Sequence, residues 1–257
     1  MYFAQAVANR LAVCQLKLYH TASVNDYLLF VDTEASGLPI NWELPYSAEG
    51  NWPSAVQVSW LVYTKDGQEI KREDHYILNS DFVITPKAME IHGINPGMLA
   101  VKGQARKDVM QLLANDLEQY QPLVVGHFVQ LDYHILSADF YRAGMDNPLA
   151  KLPLFCTMLA TTQLRWTPMP TSLLLGDLYA FLFYKPLVNQ HNALTDARAA
   201  AECFFELLKR TEISEKLIVQ QQDQPAIKSL KVLSGKTLQV IIPILIIILI
   251  ILKTHHL

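Results

Sequence analysis

Apolar positions change their spacing several times along the chain, and each change predicts an element. Tyr27 to Val31 is a run of β-forming apolar residues that stops at Asp32-Thr33-Glu34 before a Gly-Leu-Pro turn, which reads as a buried strand delivering two carboxylates to its end. Ala55 to Thr64 alternates, with Val56, Val58, Trp60 and Val62 set against Gln57, Ser59 and Tyr63. Glu69 to Leu78 follows the Lys65-Asp66-Gly67 turn, so the pair predicts an antiparallel hairpin beside the first strand. The loop from Pro39 to Pro53 is longer than usual for a compact domain and carries Trp42 and Trp52, read as loop packing rather than as a stacking platform for a base.

Further on, Thr85 to Leu99 predicts a short helix, a stop at Gly93 and a second short helix after Asn95. Val109, Leu112, Leu113 and Leu117 fall on one face of a helix over Gln104 to Tyr120. Pro122 to Gly126 reads as a short strand, Leu131 to Gly144 as a helix and Leu152 to Cys156 as another strand. Helices over Thr157 to Leu164 and Ser172 to Phe183 flank a Pro-rich turn at Thr167 to Thr171. An Ala-rich helical stretch then runs to about Arg210, and a polar segment follows from Thr211 to Lys236.

The length of 257 residues and a hydrophobic content of 51% allow one large domain with appendages. Three cysteines, Cys14, Cys156 and Cys203, lack paired spacing, which fits a reduced compartment better than a disulfide framework. Charge changes the picture more. Residues 1–208 carry 14 Lys+Arg and 21 Asp+Glu (net −7), whereas residues 209–257 carry 7 and 3 (net +4). The globular part therefore lacks the general basic footprint of a protein that holds long duplexes, and a nucleic acid would have to be held through metal ions and a local groove.

The first 20 residues contain Arg10 and Lys17 and no uninterrupted apolar core, so they are not read as an export signal. At the other end, the stretch between Lys236 and Lys253 is 16 uncharged residues. As a helix it would span ~24 Å, slightly under the ~30 Å hydrocarbon core. The expectation is a marginal membrane anchor, with Lys228, Lys231 and Lys236 keeping the rest of the chain on the cytoplasmic side.

Candidate chemistry lies at the element boundaries. Asp32 and Glu34 are two apart, so their side chains leave the same face of the first strand and converge, which is costly unless a cation sits between them. Carboxylate oxygens without a thiolate or His cluster point to a hard ion such as Mg²⁺ or Mn²⁺. Asp132 stands near the start of a helix that follows a buried strand, after Gly126-His127. His191 comes at or before a later helix and Asp196 about one turn inside it.

Taken in order, Asp-x-Glu, the strand-to-helix Asp and His-x₄-Asp resemble the DEDDh family of 3′-to-5′ exonucleases, which includes the proofreading subunit of bacterial replicative DNA polymerase, ribonuclease T and oligoribonuclease. The resemblance spans about Tyr27 to Lys209 and takes in the Ile91-His92-Gly93-Ile94 element. It departs at Phe128 and Leu131, where family members often carry Asn and Phe; the four carboxylate positions are all occupied.

The resemblance implies an α/β, ribonuclease H-like fold with a mixed five-stranded sheet flanked by helices. Together with the composition, it divides the chain into an extension (1–26), an exonuclease domain (27–210), a polar linker (211–236) and a hydrophobic tail (237–257). It implies two divalent cations held by Asp32, Glu34, Asp132 and Asp196, with His191 accepting the proton of the attacking water. Thr33, Leu38 and His92 would contact the 3′-terminal nucleotide, and His127 and His134 would be structural. The expected activity is release of nucleoside monophosphates from a single-stranded 3′ end, DNA ahead of RNA. The alternative is a membrane-tethered nucleic-acid-binding or scaffold protein that keeps the fold with little turnover.

Overall fold

The computed structural model describes residues 25–162 and 173–222. Strands β1 (Tyr27–Ala35), β2 (Ala55–Thr64) and β3 (Glu69–Ile77) form an antiparallel meander. Helices α1 (Pro86–His92) and α2 (Pro96–Lys102) follow, then β4 (Gly103–Gln104), α3 (Arg106–Tyr120), β5 (Leu123–Gly126) and α4 (Val129–Arg142). After a 3₁₀ turn come β6 (Leu154–Cys156), α5 (Thr157–Thr161), α6 (Leu175–Phe183), α7 (Ala193–Lys209) and α8 (Glu215–Gln222). The sheet runs β4-β3-β2-β1-β5-β6, with β5 parallel to β1 and β6 parallel to β5.

The sheet is six-stranded rather than five-stranded, because β4 adds a two-residue parallel edge beside β3. Two residues carry no periodicity, so no pattern announces such a strand. The stretch from Thr211, expected to be polar linker, instead holds α8, which buries Leu217, Ile218 and Gln221. Gln221 does locally what a strand would do: its Oε1 accepts the Cys156 N–H at 2.9 Å and its Nε2 donates to the Cys156 carbonyl at 3.3 Å. A side-chain amide that mimics backbone closes the open edge of β6, and its polarity hid it from a hydrophobic reading.

The alternation of β1 divides the core. Leu29 and Val31 face α3 and α4 together with Val58, Trp60, Val62 and Leu136. Leu28 and Phe30 face α7 with Val125, Phe155 and Phe204. Because the side-chain period is two, Asp32 and Glu34 continue the α7 face and Thr33 the α4 face. Residues 1–24 and 237–257, expected to be the extension and tail, and the Pro-rich turn at 167–171 lie outside the described residues. Among the described residues no helix is long and apolar enough to cross a membrane.

Candidate active site

Two helix openings converge on the end of β1. At Gly126 the chain turns from β5 into α4 against the neighbouring strand. A Cβ there would stand 3.0 Å from the Val129 side chain and 3.2 Å from the Val31 carbonyl, so only glycine fits without displacement. The turn brings Asp132, in the first turns of α4, onto Thr33: Asp132 Oδ1 accepts the Thr33 N–H at 2.9 Å and its hydroxyl at 2.8 Å. Thr33 thus positions the third carboxylate, and both its donors are engaged in doing so.

The other opening is that of α7. Asn192 caps it by accepting the Thr195 N–H at 3.2 Å. The His191 N–H donates to Asp196 Oδ2 at 2.9 Å, while Asp196 Oδ1 is buried without a hydrogen-bond partner. One ligand-type atom each from Glu34, His191 and Asp196 lies within 4.8 Å of the others.

The electrostatics follow from this crowding. Asp32 is held well above the usual carboxylate range, first by burial and then by Asp132, Asp196 and Glu34. Burial, then Asp196 and Asp132, raises Glu34 to about 8. Asp132 rises to about 7 through burial despite its Thr33 bonds, and Asp196 to about 6 through burial despite the His191 N–H. Four acids that resist ionisation together, one with an orphaned buried oxygen, are a donor set that a hard divalent cation fits.

Sequence reading missed what holds α7 in place. In the β1–β2 register Asp32 pairs with Ser59 and Glu34 with Gln57, so both partners share the acidic face. Gln57 is fully buried; its Oε1 accepts the Ala193 N–H at 3.2 Å and its Nε2 donates to Asp74 Oδ1 at 2.8 Å. The alternation of β2 marked Gln57 as a polar position, but only the register sets it opposite Glu34.

His92 sits against the end of β1, its Nε2 3.2 Å from the Ala35 carbonyl and its Nδ1 accepting the Ile94 N–H at 3.0 Å. Burial lowers its pKa, with His191 adding to the shift. Leu38 is 46% exposed and borders a cavity of about 920 Å³ that Tyr46, Trp52, Val83 and Arg142 also line; none of the four acids lines it. His127 is bound to the Thr157 hydroxyl and the Leu173 carbonyl, both at 2.9 Å, and burial depresses its pKa to about 4.

A mixed sheet whose central strand carries carboxylates, flanked by helices that aim further acids at it, defines an α/β exonuclease fold. The family model described as Exonuclease matches residues 56–204. The chain therefore belongs to that family, the DEDDh-type exonucleases of the ribonuclease H-like superfamily. The match includes Asp132, His191 and Asp196 and begins after Asp32 and Glu34.

Among solved structures, exonuclease I is similar at TM-score 0.61 and 17% identity, over 76% of this chain and 43% of that one. E. coli exonuclease I in complex with a dA16 oligonucleotide gives 0.60 and 18%, over 76% and 43%. The zinc-bound form of its complex with single-stranded DNA gives 0.59 and 17%, over 72% and 41%. The chain spans less than half the length of these structures, and the likeness is one of fold. No curated protein matches the sequence.

Proposed function

We propose that the chain is a metal-dependent 3′-to-5′ exonuclease that releases nucleoside monophosphates from single-stranded ends, DNA ahead of RNA. The observation that carries this reading is the mutual crowding of Asp32, Glu34, Asp132 and Asp196, which come from one strand and two helices. The single-stranded oligonucleotides bound to the exonuclease I structures support the choice of substrate.

Asp32, Glu34 and Asp196 would hold one divalent cation, Mg²⁺ or Mn²⁺, and Asp32 with Asp132 a second. When bound, such ions supply an acidic water and charge stabilisation at the departing oxygen. His191 would accept the proton of the attacking water at a ring nitrogen, a role an imidazole beside cations is suited to. Thr33 keeps Asp132 in place through two hydrogen bonds. Leu38 offers exposed apolar surface to the terminal nucleotide, and His92 steadies the β1 end from which that surface projects.

The test is incubation of the full chain with 5′-labelled single-stranded DNA and Mn²⁺. Stepwise shortening from the 3′ end that stops on chelation and is absent from Asp32→Asn is the expected result. Internal cutting, shortening from the 5′ end, or an active Asp32→Asn protein would overturn the proposal.

A further inference from the structure

The loop that follows the first acidic motif builds a wall of rings beside the second. Trp52 is buried and stacks on the fully buried His134, with centroids 5.1 Å apart and planes 23° apart. The Tyr46 hydroxyl lies 2.7 Å from His134 Nδ1, and Trp52 Nε1 donates to the Leu44 carbonyl at 3.0 Å. On this foundation stands Trp42, partly exposed, in edge contact with Trp52 at 5.8 Å and with His134 at 5.7 Å. Asn51 clasps the neighbouring backbone, accepting the Asn41 N–H at 2.8 Å and donating to the Asn41 carbonyl at 2.9 Å. Ring and backbone are thus both fixed before any ligand arrives.

Opposite Trp42 stands Phe128, also partly exposed, with centroids 6.3 Å apart and planes inclined at 51°. Rings at that angle are not stacked on each other, so each keeps π surface for a third ring. Phe128 has φ 66° and opens α4 without a side-chain cap. It lies one helical turn ahead of Asp132, so the aromatic wall ends ~5 to 6 Å along the helix from a carboxylate of the site. A phenylalanine in the left-handed region, where Asn or Gly rests more easily, bears backbone strain.

We propose that Trp42 and Phe128 form a stacking site for a nucleobase of the single strand that enters the acidic centre. This deepens the exonuclease reading and rests on it. The charge balance argues in the same direction: with a net charge of −7 over residues 1–208, side-chain attraction for phosphates is weak, and base stacking adds affinity that tolerates any sequence. The strand is thereby gripped by a base as well as at the phosphate in the acidic centre.

The experiment places 2-aminopurine at the terminal, second or third position from the 3′ end of an oligonucleotide and titrates it with full-length Asp32→Asn protein in Mg²⁺. Quenching is expected at one of these positions. Adding Trp42→Leu or Phe128→Leu should remove it and weaken binding by roughly 5- to 150-fold. In the otherwise native protein the same substitutions should raise KM with kcat little changed, and an abasic nucleotide at the quenched position should erase the difference between proteins. Folding of each variant is checked by its urea midpoint. Unchanged binding in both variants, or an abasic nucleotide that makes no difference, overturns the stacking site. The two readings separate cleanly: native protein that hydrolyses DNA while Trp42→Leu keeps its KM sinks this inference alone. Native protein that shows Trp42-dependent quenching but releases no mononucleotide sinks the exonuclease reading alone.

Discussion

The openings of α4 and α7 solve one problem in two ways. Each must hold a carboxylate near the first turns of a helix against the end of β1, and each follows a residue in the left-handed region, Phe128 at φ 66° and His191 at φ 63°. At α7 the solution is polar: the Asn192 cap, the His191 N–H on Asp196 and the Gln57 amide on Ala193. At α4 no side chain caps the helix; Asp132 is held by two bonds from Thr33, while the ring of Phe128 lies beside Trp42. Polar bonds fix an angle and leave little room, whereas an aromatic opening keeps surface for a ligand. Under the proposed function, one opening would serve the chemistry and the other would also serve the strand.

The strongest way to break the comparison is to neutralise one carboxylate on each side. Asp132→Asn and Asp196→Asn should each lower kcat on the order of 10³-fold, as Asp32→Asn should, because each removes charge from the proposed cation set. Single-turnover hydrolysis of labelled DNA measures it. A protein that keeps a tenth of its rate without one of these acids would show that its helix is scaffolding only.

Removing the metal sharpens the comparison next. Glu34, Asp132 and Asp196 have folded pKa values of about 8, 7 and 6, all above those of an unfolded chain. Between ~4 and the folded values the native state binds more protons than the unfolded state, so the stability these groups contribute is full at low pH and is lost as pH rises. In EDTA the Tm should therefore fall from pH 5 to pH 8, and Mn²⁺ should raise it more at pH 8. Asp132→Asn should flatten the slope more than Asp196→Asn, since its carboxyl is pushed further. A flat or rising Tm in EDTA would refute the crowding.

Gln57→Leu tests the polar opening alone. It strands the Ala193 N–H and takes a donor from Asp74, a loss of about 1 to 3 kcal/mol. A shift of α7 by a fraction of an ångström should also reduce kcat by ~10- to 100-fold. Urea unfolding and kcat are read together, and α4-dependent properties, such as quenching by Trp42, should not change.

How far the sequence carried depends on which physics each residue uses. The placement of Asp32 and Glu34 at the end of a buried strand was legible because two acids ending an apolar run violate a burial pattern, and the hairpin because alternation and a turn signal agree. Gln57 was not, because its meaning comes from standing opposite Glu34, and strand register is a property of pairs. Gln221 escaped for a related reason: a polar residue that stands in for backbone looks like linker until the strand it closes is known. Trp42 and Trp52 read alike in one loop, yet one is buried under His134 and the other is left partly open, a distinction only packing makes.

The smallest effect bears directly on the aromatic opening. Phe128→Ala removes ring packing and keeps the left-handed strain, whereas Phe128→Asn removes the same packing, rests more easily at φ 66° and places an amide where α4 has no cap. The loss of ring burial is common to both, so it cancels in their difference, and what remains is the backbone and capping contribution. Asn should therefore be the more stable of the two by ~1 kcal/mol, measured by urea unfolding with equal m-values. The native protein should lie within ~1 to 2 kcal/mol of the Asn variant, because the burial Phe128 gains and the strain it bears are of similar size. If Asn and Ala were equally stable, Phe128 would bear no strain, and its ring would need no reason beyond packing.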